Sequence, residues 1–96
     1  MLSIETIQDN INQLVDKYNV KRIHLFGSYA NGNATDSSDV DLLVEFNVAV
    51  PSIGAVLGFG EELKSKLQND VDVVSLPLVN PSALQIARTI TLYDRP

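Results

Sequence analysis

The stretch GSYANGNATDSSDVDLLVEF, Gly27 to Phe46, decides how the rest of the chain is read. Its second half, Asp39-Val40-Asp41-Leu42-Leu43-Val44-Glu45-Phe46, alternates as a half-buried strand does. Val40, Leu42, Val44 and Phe46 share one face, and Asp39 and Asp41 share the other. The first half, rich in Gly, Asn, Asp and Ser, reads as a connection with room for one helical turn over Ser28 to Asn31.

Upstream, Val20 to Phe26 predicts a strand ended by Gly27. Before that, Ser3 is a candidate N-cap for a helix of about four turns whose apolar stripe is Ile4, Ile7, Ile11, Leu14 and Tyr18, with Asn19 as the stop. Downstream, Pro51 and Ser52 open a helical pattern of Ile53, Val56, Leu57, Gly60, Leu63 and Leu67. Its first half is weakened by Gly54, Gly58 and Gly60 at about 1 kcal/mol each relative to alanine. Asn69-Asp70 reads as a turn, Val71 to Leu76 as a third strand, and Ser82 to Leu92 as a last helix around Leu84, Ile86, Ala87 and Ile90.

The expected fold class is therefore α+β: a small mixed sheet of three or four strands with helices on one face. The short connection between the first two strands suits an antiparallel return, and the helix between the second and third suits a parallel crossover. A chain of 96 residues fits one domain spanning residues 1–96.

Composition narrows the function. Seven basic against twelve acidic residues, net charge -5, argue against direct binding to a nucleic acid backbone. With no cysteine, neither a disulfide framework nor a thiolate metal site can form, and a single histidine, His24, gives no histidine cluster. No signal-like start or membrane-length apolar run is present, so a soluble cytoplasmic protein is the expectation and no membrane is involved.

Asp39 and Asp41, two apart on a strand, place their Cα atoms about 6 to 7 Å apart on one face. If the third strand runs parallel to the second, Asp72 joins them. Acids at strand starts beside a loop are often merely solvent-facing, but Asp72 sits inside Val-Asp-Val-Val, where a polar residue needs a reason. Three close carboxylates raise one another's pKa unless a cation compensates, and oxygen-only ligands suit Mg²⁺, with Mn²⁺ as an alternative. Gly27 lets a phosphate approach the backbone before a helical turn, and Ser28 adds a hydroxyl. Asp36 reads as a turn acid, His24 as structural, and Lys64 and Lys66 as a solvated helix face. Arg22, Lys64, Lys66 and Arg88 are the cations that could neutralise a triphosphate, but nothing in the sequence places them.

Gly27-Ser28, ten residues between Ser28 and Asp39, then Asp39-Val40-Asp41 and an apolar strand, with Ser38 ahead of Asp39 and Asp72 in VDVVSL, resembles the signature of the DNA polymerase beta-like nucleotidyltransferases, and within them the minimal nucleotidyltransferase (MNT) branch. The resemblance spans nearly the whole chain. It implies a polymerase beta palm-like fold and transfer of a nucleoside monophosphate, AMP from ATP by preference over another nucleoside triphosphate. Asp39 and Asp41 would hold two Mg²⁺ ions, Asp72 would share the catalytic ion and orient or deprotonate an acceptor hydroxyl, and Gly27 and Ser28 would hold the β- and γ-phosphates. It also implies an antitoxin paired with a helical HEPN-type toxin whose tyrosine is the acceptor; a homo-oligomer is compatible with so small a chain. One departure stands out: relatives often carry a basic residue where this chain has Tyr29 or Asn31. A catalytically weak nucleotide-binding antitoxin subunit is the alternative, and a metal-dependent phosphohydrolase a third reading.

Overall fold

The computed structural model describes residues 1–76 and 88–95. Its elements in chain order are α1 (Ile4–Asn12), β1 (Val20–Phe26), α2 (Ser28–Asn31), β2 (Val40–Phe46), α3 (Ile53–Leu67), β3 (Val71–Leu76) and β4 (Ile90–Asp94). The four strands form one sheet in the order β3-β2-β1-β4. As the connection lengths require, β1 pairs antiparallel with β2 and β3 runs parallel to β2. Among the described residues, no helix is long and apolar enough to cross a membrane.

α1 starts where the sequence indicates. The Ser3 hydroxyl accepts from the Thr6 amide at 3.0 Å, satisfying one of the free donors of the first turn. The helix is shorter than its periodicity suggests and gives way to turns after Asn12. There the Leu14 amide reaches back only three residues to the Ile11 carbonyl at 2.9 Å, a tightening that lets Leu14 and Val15 both enter the core. Asn19, at φ 55°, closes the segment in the left-handed conformation asparagine tolerates.

β1 carries an irregularity that explains its imperfect alternation. Val20 faces Phe46 and Arg22 faces Glu45, so β1 spends two residues against one on β2. This bulge turns both Val20 and Ile23 toward the core although they are three apart. β2 obeys its pattern: Val40, Leu42, Val44 and Phe46 are buried, and Asp41 and Glu45 lie on the other face, half-buried.

α3 packs on the core face and is a single continuous helix from Ser52, whose hydroxyl accepts from the Ala55 amide at 3.1 Å. Two of its glycines, Gly58 and Gly60, are points of close packing, while Gly54 is exposed. A Cβ at Gly58 would stand 3.1 Å from the Tyr18 ring, and one at Gly60 3.3 Å from Val73. Close approach here lets Phe59 insert fully, edge-on to Tyr18 and Phe46 with ring centroids at 5.8 and 6.5 Å. Burial of such a ring stabilises the fold by about 1.5–3 kcal/mol.

The expected last helix is corrected in part. Residues 82–87 lie outside the described residues, but Ile90 to Leu92, assigned to its end, belong to β4. β4 pairs antiparallel with β1, and Leu92 is buried while its carbonyl accepts from Gln8 Nε2 at 2.8 Å. Ile-Thr-Leu-Tyr is β-branched or aromatic at three of four positions, which favours a pleated surface once a neighbouring strand is available.

Candidate active site

The starts of β2 and β3 and the end of β1 meet at one end of the sheet, and each is fixed there by backbone chemistry. Across the strands, Asp41 lies opposite Phe26 of β1 on one side and opposite Asp72 of β3 on the other. Gly27 follows Phe26 directly. The order across the sheet is therefore Gly27, Asp41, Asp72, with Asp39 immediately before β2. The start of β3 is held to that of β2 by the Val40 amide donating to the Asp70 carbonyl at 2.9 Å and by Asn69 Nδ2 donating to the Ser38 carbonyl at 3.0 Å.

Gly27 is required twice. Its φ 74° and ψ -152° lie in a region essentially reserved for glycine, and a Cβ there would collide with the Asp41 carboxylate. The strand thus turns sharply into α2 with the Asp41 oxygen against its backbone, and the first amides of α2 lack intrahelical partners. Ser28 opens that turn. Tyr29, by contrast, is buried, its hydroxyl accepting from the Leu2 amide at 3.3 Å, so this position of the loop brings no charge to the site.

The carboxylates feel one another. Burial first, then the negative charge of Asp72 and of Asp39 and a hydrogen bond shared with Asp72, pushes the Asp41 carboxyl above the ordinary carboxylate range. Asp41 and Asp72 form a close pair and Asp39, exposed ahead of the strand, acts on it from a greater distance. Accordingly, among the described residues no three side chains of the His, Cys, Asp and Glu types converge on a single point as a metal cage does. The donor set is nonetheless that of a hard dication: all oxygen, and carrying a mutual repulsion that a cation would relieve.

On the Asp72 side the site opens. A cavity of about 420 Å³ between α3 and β3 is lined by Asp39 and Asp72 together with Val56, Leu57, Gly60 and Val73. A second, of about 570 Å³, lies over the loop ahead of β2 and shares Asp39, Lys64 and Asp70 with the first. Neither is lined by Gly27, Ser28 or Asp41 among the described residues.

Lys64 lies on the exposed face of α3 that its sequence position indicates, and the fold adds its place beside the site. Its side chain lines both cavities and pairs with Asp70 at 3.1 Å, which raises its pKa, with smaller contributions from Glu61 and Asp39. The turn at Asn69-Asp70 brings Asp70 back to Lys64, a contact only the folded turn reveals. Other candidates are accounted for elsewhere. Arg22 pairs with Glu45 and Asp94, each at 3.0 Å, at the far end of β1. Lys66 bonds Gln13 at 2.9 Å, His24 contacts Thr91 at 3.1 Å, and Asp36 pairs with the N-terminal amine at 2.6 Å.

An antiparallel strand pair ending in a glycine turn, extended by a parallel strand that lines up a second carboxylate, sets a turn able to take a phosphate beside two acids. Residues 9–95 match the family described as polymerase beta, nucleotidyltransferase, and the chain belongs to that family. It is 42% identical over 72 residues to a candidate protein adenylyltransferase of Methanocaldococcus jannaschii, MJ1379, covering 74% of this chain and 72% of that protein. It is 36% identical over 78 residues to the protein adenylyltransferase MntA of Thermococcus cleftensis, covering 77% and 78%. A chain of a toxin-antitoxin complex crystallised with AMP-PNP superimposes with a TM-score of 0.76 at 26% identity, covering 91% of this chain and 73% of that one.

Proposed function

We propose that the chain is a Mg²⁺-dependent protein adenylyltransferase that moves AMP from ATP onto a tyrosine hydroxyl of a HEPN-type helical toxin and acts as its antitoxin in the cytoplasm. The observation that carries the reading is the succession Gly27, Asp41, Asp72 across three strands, which sets a phosphate-compatible turn beside paired carboxylates. Two relatives named for protein adenylylation and a structural neighbour from a toxin-antitoxin complex support a protein as the acceptor and a toxin as the partner.

Gly27 and Ser28 hold the β- and γ-phosphates through backbone amides and the hydroxyl. Asp39, Asp41 and Asp72 are the residues that would hold Mg²⁺, which supplies charge neutralisation at the attacking and leaving oxygens. Asp72, the outermost carboxylate, orients the acceptor hydroxyl and takes its proton. The acceptor oxygen bonds to the α-phosphorus as the bond to the bridging oxygen breaks, and pyrophosphate leaves.

A second reading has its own support: buried Tyr29 contributes no charge to the loop, which suits an antitoxin subunit that binds nucleotide and transfers little. Incubating the chain with labelled ATP, Mg²⁺ and the helical protein encoded beside it separates the two. Label on the partner, lost in Asp39→Ala and Asp41→Ala, is the expected result. Stable complex without label on the partner overturns transfer in favour of the binding subunit.

A further inference from the structure

We infer that Arg88 is the cation of the triphosphate site, set beside the Gly27-Ser28 turn at the start of β4 and neutralising the pyrophosphate as it leaves. The inference rests on the nucleotidyl-transfer reading and deepens it by assigning a residue to the phosphate end. It starts from a shortage of positive charge. The turn Gly27-Ser28-Tyr29-Ala30-Asn31 is uncharged, and Asp39, Asp41 and Asp72 beside it are acids, in a chain of net charge -5. Backbone amides and a hydroxyl hold phosphate oxygens, but the charge that accumulates on a departing pyrophosphate calls for a cation already in place.

The chain has seven lysines and arginines, and the fold commits six of them elsewhere. Lys17 and Lys66 reach across to Glu62 and Gln13. Lys21, Arg22 and Arg95 gather at the opposite end of β1, Arg22 between Glu45 and Asp94, and Arg95 on Asp16 with its amide donating to the Lys21 carbonyl. Lys64 lies on the β3 flank, held by Asp70. Arg88 remains, and the topology brings it to the turn. β4 pairs antiparallel with β1, Thr91 opposite His24 and Ile90 opposite Leu25. Carried two places further, the same register sets Arg88 level with Gly27. Because β1 lies between β2 and β4, the order across this end of the sheet is Asp72, Asp41, Gly27, Arg88. Acids stand on one side of the glycine and a cationic residue on the other. A magnesium nucleotide has the same polarity, with the dication against carboxylates and unshared phosphate oxygens beyond it. Arg88 is exposed, no ion pair among the described residues engages it, and β4 is anchored behind it by buried Leu92. Its planar fork of donors matches two phosphate oxygens at once. In transfer, the acceptor oxygen bonds to the α-phosphorus as the bond to the bridging oxygen breaks. That electron pair passes to the pyrophosphate, where Arg88 neutralises it and takes no part in the proton transfer.

Calorimetric titration of AMP-PNP, and separately of AMP, into the chain with Mg²⁺ present tests the assignment. Arg88→Gln should weaken AMP-PNP binding by about 10- to 100-fold, the worth of hydrogen bonds to a charged group. AMP has no β- or γ-phosphate, so its affinity should stay within about twofold. Arg88→Lys keeps the charge and loses the fork, and should retain part of the AMP-PNP affinity. Lys21→Gln removes the same charge at the other end of β1 and should alter neither ligand's binding. Arg88 is exposed, so its variants should fold, which thermal melting checks. Unchanged AMP-PNP affinity in Arg88→Gln overturns the assignment, as does an equal loss for AMP, or an equal loss in Lys21→Gln or Arg88→Lys. The parent reading fails separately: if wild type binds AMP-PNP but labels no partner, transfer is lost and the titrations still decide Arg88. Wild type that binds no AMP-PNP overturns both.

Discussion

The two flanks of Asp41 are built on opposite principles. On the β1 side, Gly27 presses its backbone against the carboxylate and leaves no room for a single added carbon. On the β3 side, Asp72 faces a cavity whose wall includes the exposed Leu57. The closed flank suits a group common to every substrate, a phosphate, which backbone amides can grip without side chains. The open flank suits a group that must enter and be told apart from others. If this division is right, substitutions on the closed side should disrupt fold and activity together, and those on the open side should separate them.

The largest separation is expected at Asp72. It is exposed at the start of β3, so Asp72→Ala should fold normally, with a melting temperature no lower than that of wild type at pH 7, since it also removes one of the charges that press on Asp41. Transfer should drop by about 10²–10³-fold, the usual loss when one group stabilising a transition state is removed. Full turnover by the folded variant would remove Asp72 from the centre and with it the comparison of flanks.

Gly27→Ala is the closed-side counterpart. It imposes a Cβ on a backbone conformation that costs a non-glycine residue about 1–3 kcal/mol, and adds a collision with Asp41. A loss of about 2–4 kcal/mol in denaturant unfolding is expected, together with loss of ATP binding. A stable variant that still binds ATP would mean that the turn can open without harm.

The closed flank was also the legible one. Gly27 and the Asp39-Asp41 alternation announce themselves because each breaks a local pattern: a glycine ending a strand, and acids on one face of an apolar run. Asp72 could be added because a helix-length connection implies a parallel neighbour, and the register sets it opposite Asp41. The open flank was hidden. Lys64 looks like any surface lysine until the Asn69 turn brings Asp70 to it, and Gly58 and Gly60 look like helix weaknesses until Tyr18 and Val73 are seen against them. β4 failed for a related reason: Ile90 and Leu92 satisfy helical spacing as well as alternation, and pairing with β1 made the choice.

Asp41 itself lies between the flanks, and its titration measures how strongly they compress it. Its pKa is raised in the folded chain by burial and by the charges of Asp72 and Asp39. Between the ordinary carboxyl value of about 3.9 and that raised value, the folded state binds more protons than the unfolded one, so stability falls as pH rises through the window. Above it the penalty is complete. Asp41→Asn should therefore melt higher than wild type at pH 7, by no more than about 4 °C given the partial exposure, and the gap should close below pH of about 3.9. Millimolar Mg²⁺ should narrow the gap at pH 7 by stabilising wild type alone. A wild type that melts as high as the variant at pH 7 without Mg²⁺ would show that the carboxylates are not in conflict.

The smallest effect is expected at Gly60, and it tests the open flank most directly. A Cβ there meets only a Val73 methyl at 3.3 Å, a side-chain atom able to give by a few tenths of an ångström, and the backbone is helical, unlike that of Gly27. Alanine in a helix interior is favoured over glycine by about 0.8–1.0 kcal/mol, which offsets the contact. Gly60→Ala should therefore change unfolding free energy by less than about 1 kcal/mol in either direction, while narrowing the cavity beside Asp72 and slowing transfer with ATP affinity intact. A loss as large as that of Gly27→Ala would mean that α3 and β3 are locked as tightly as β1 and β2, and the open side would then be a groove of fixed width rather than an entrance.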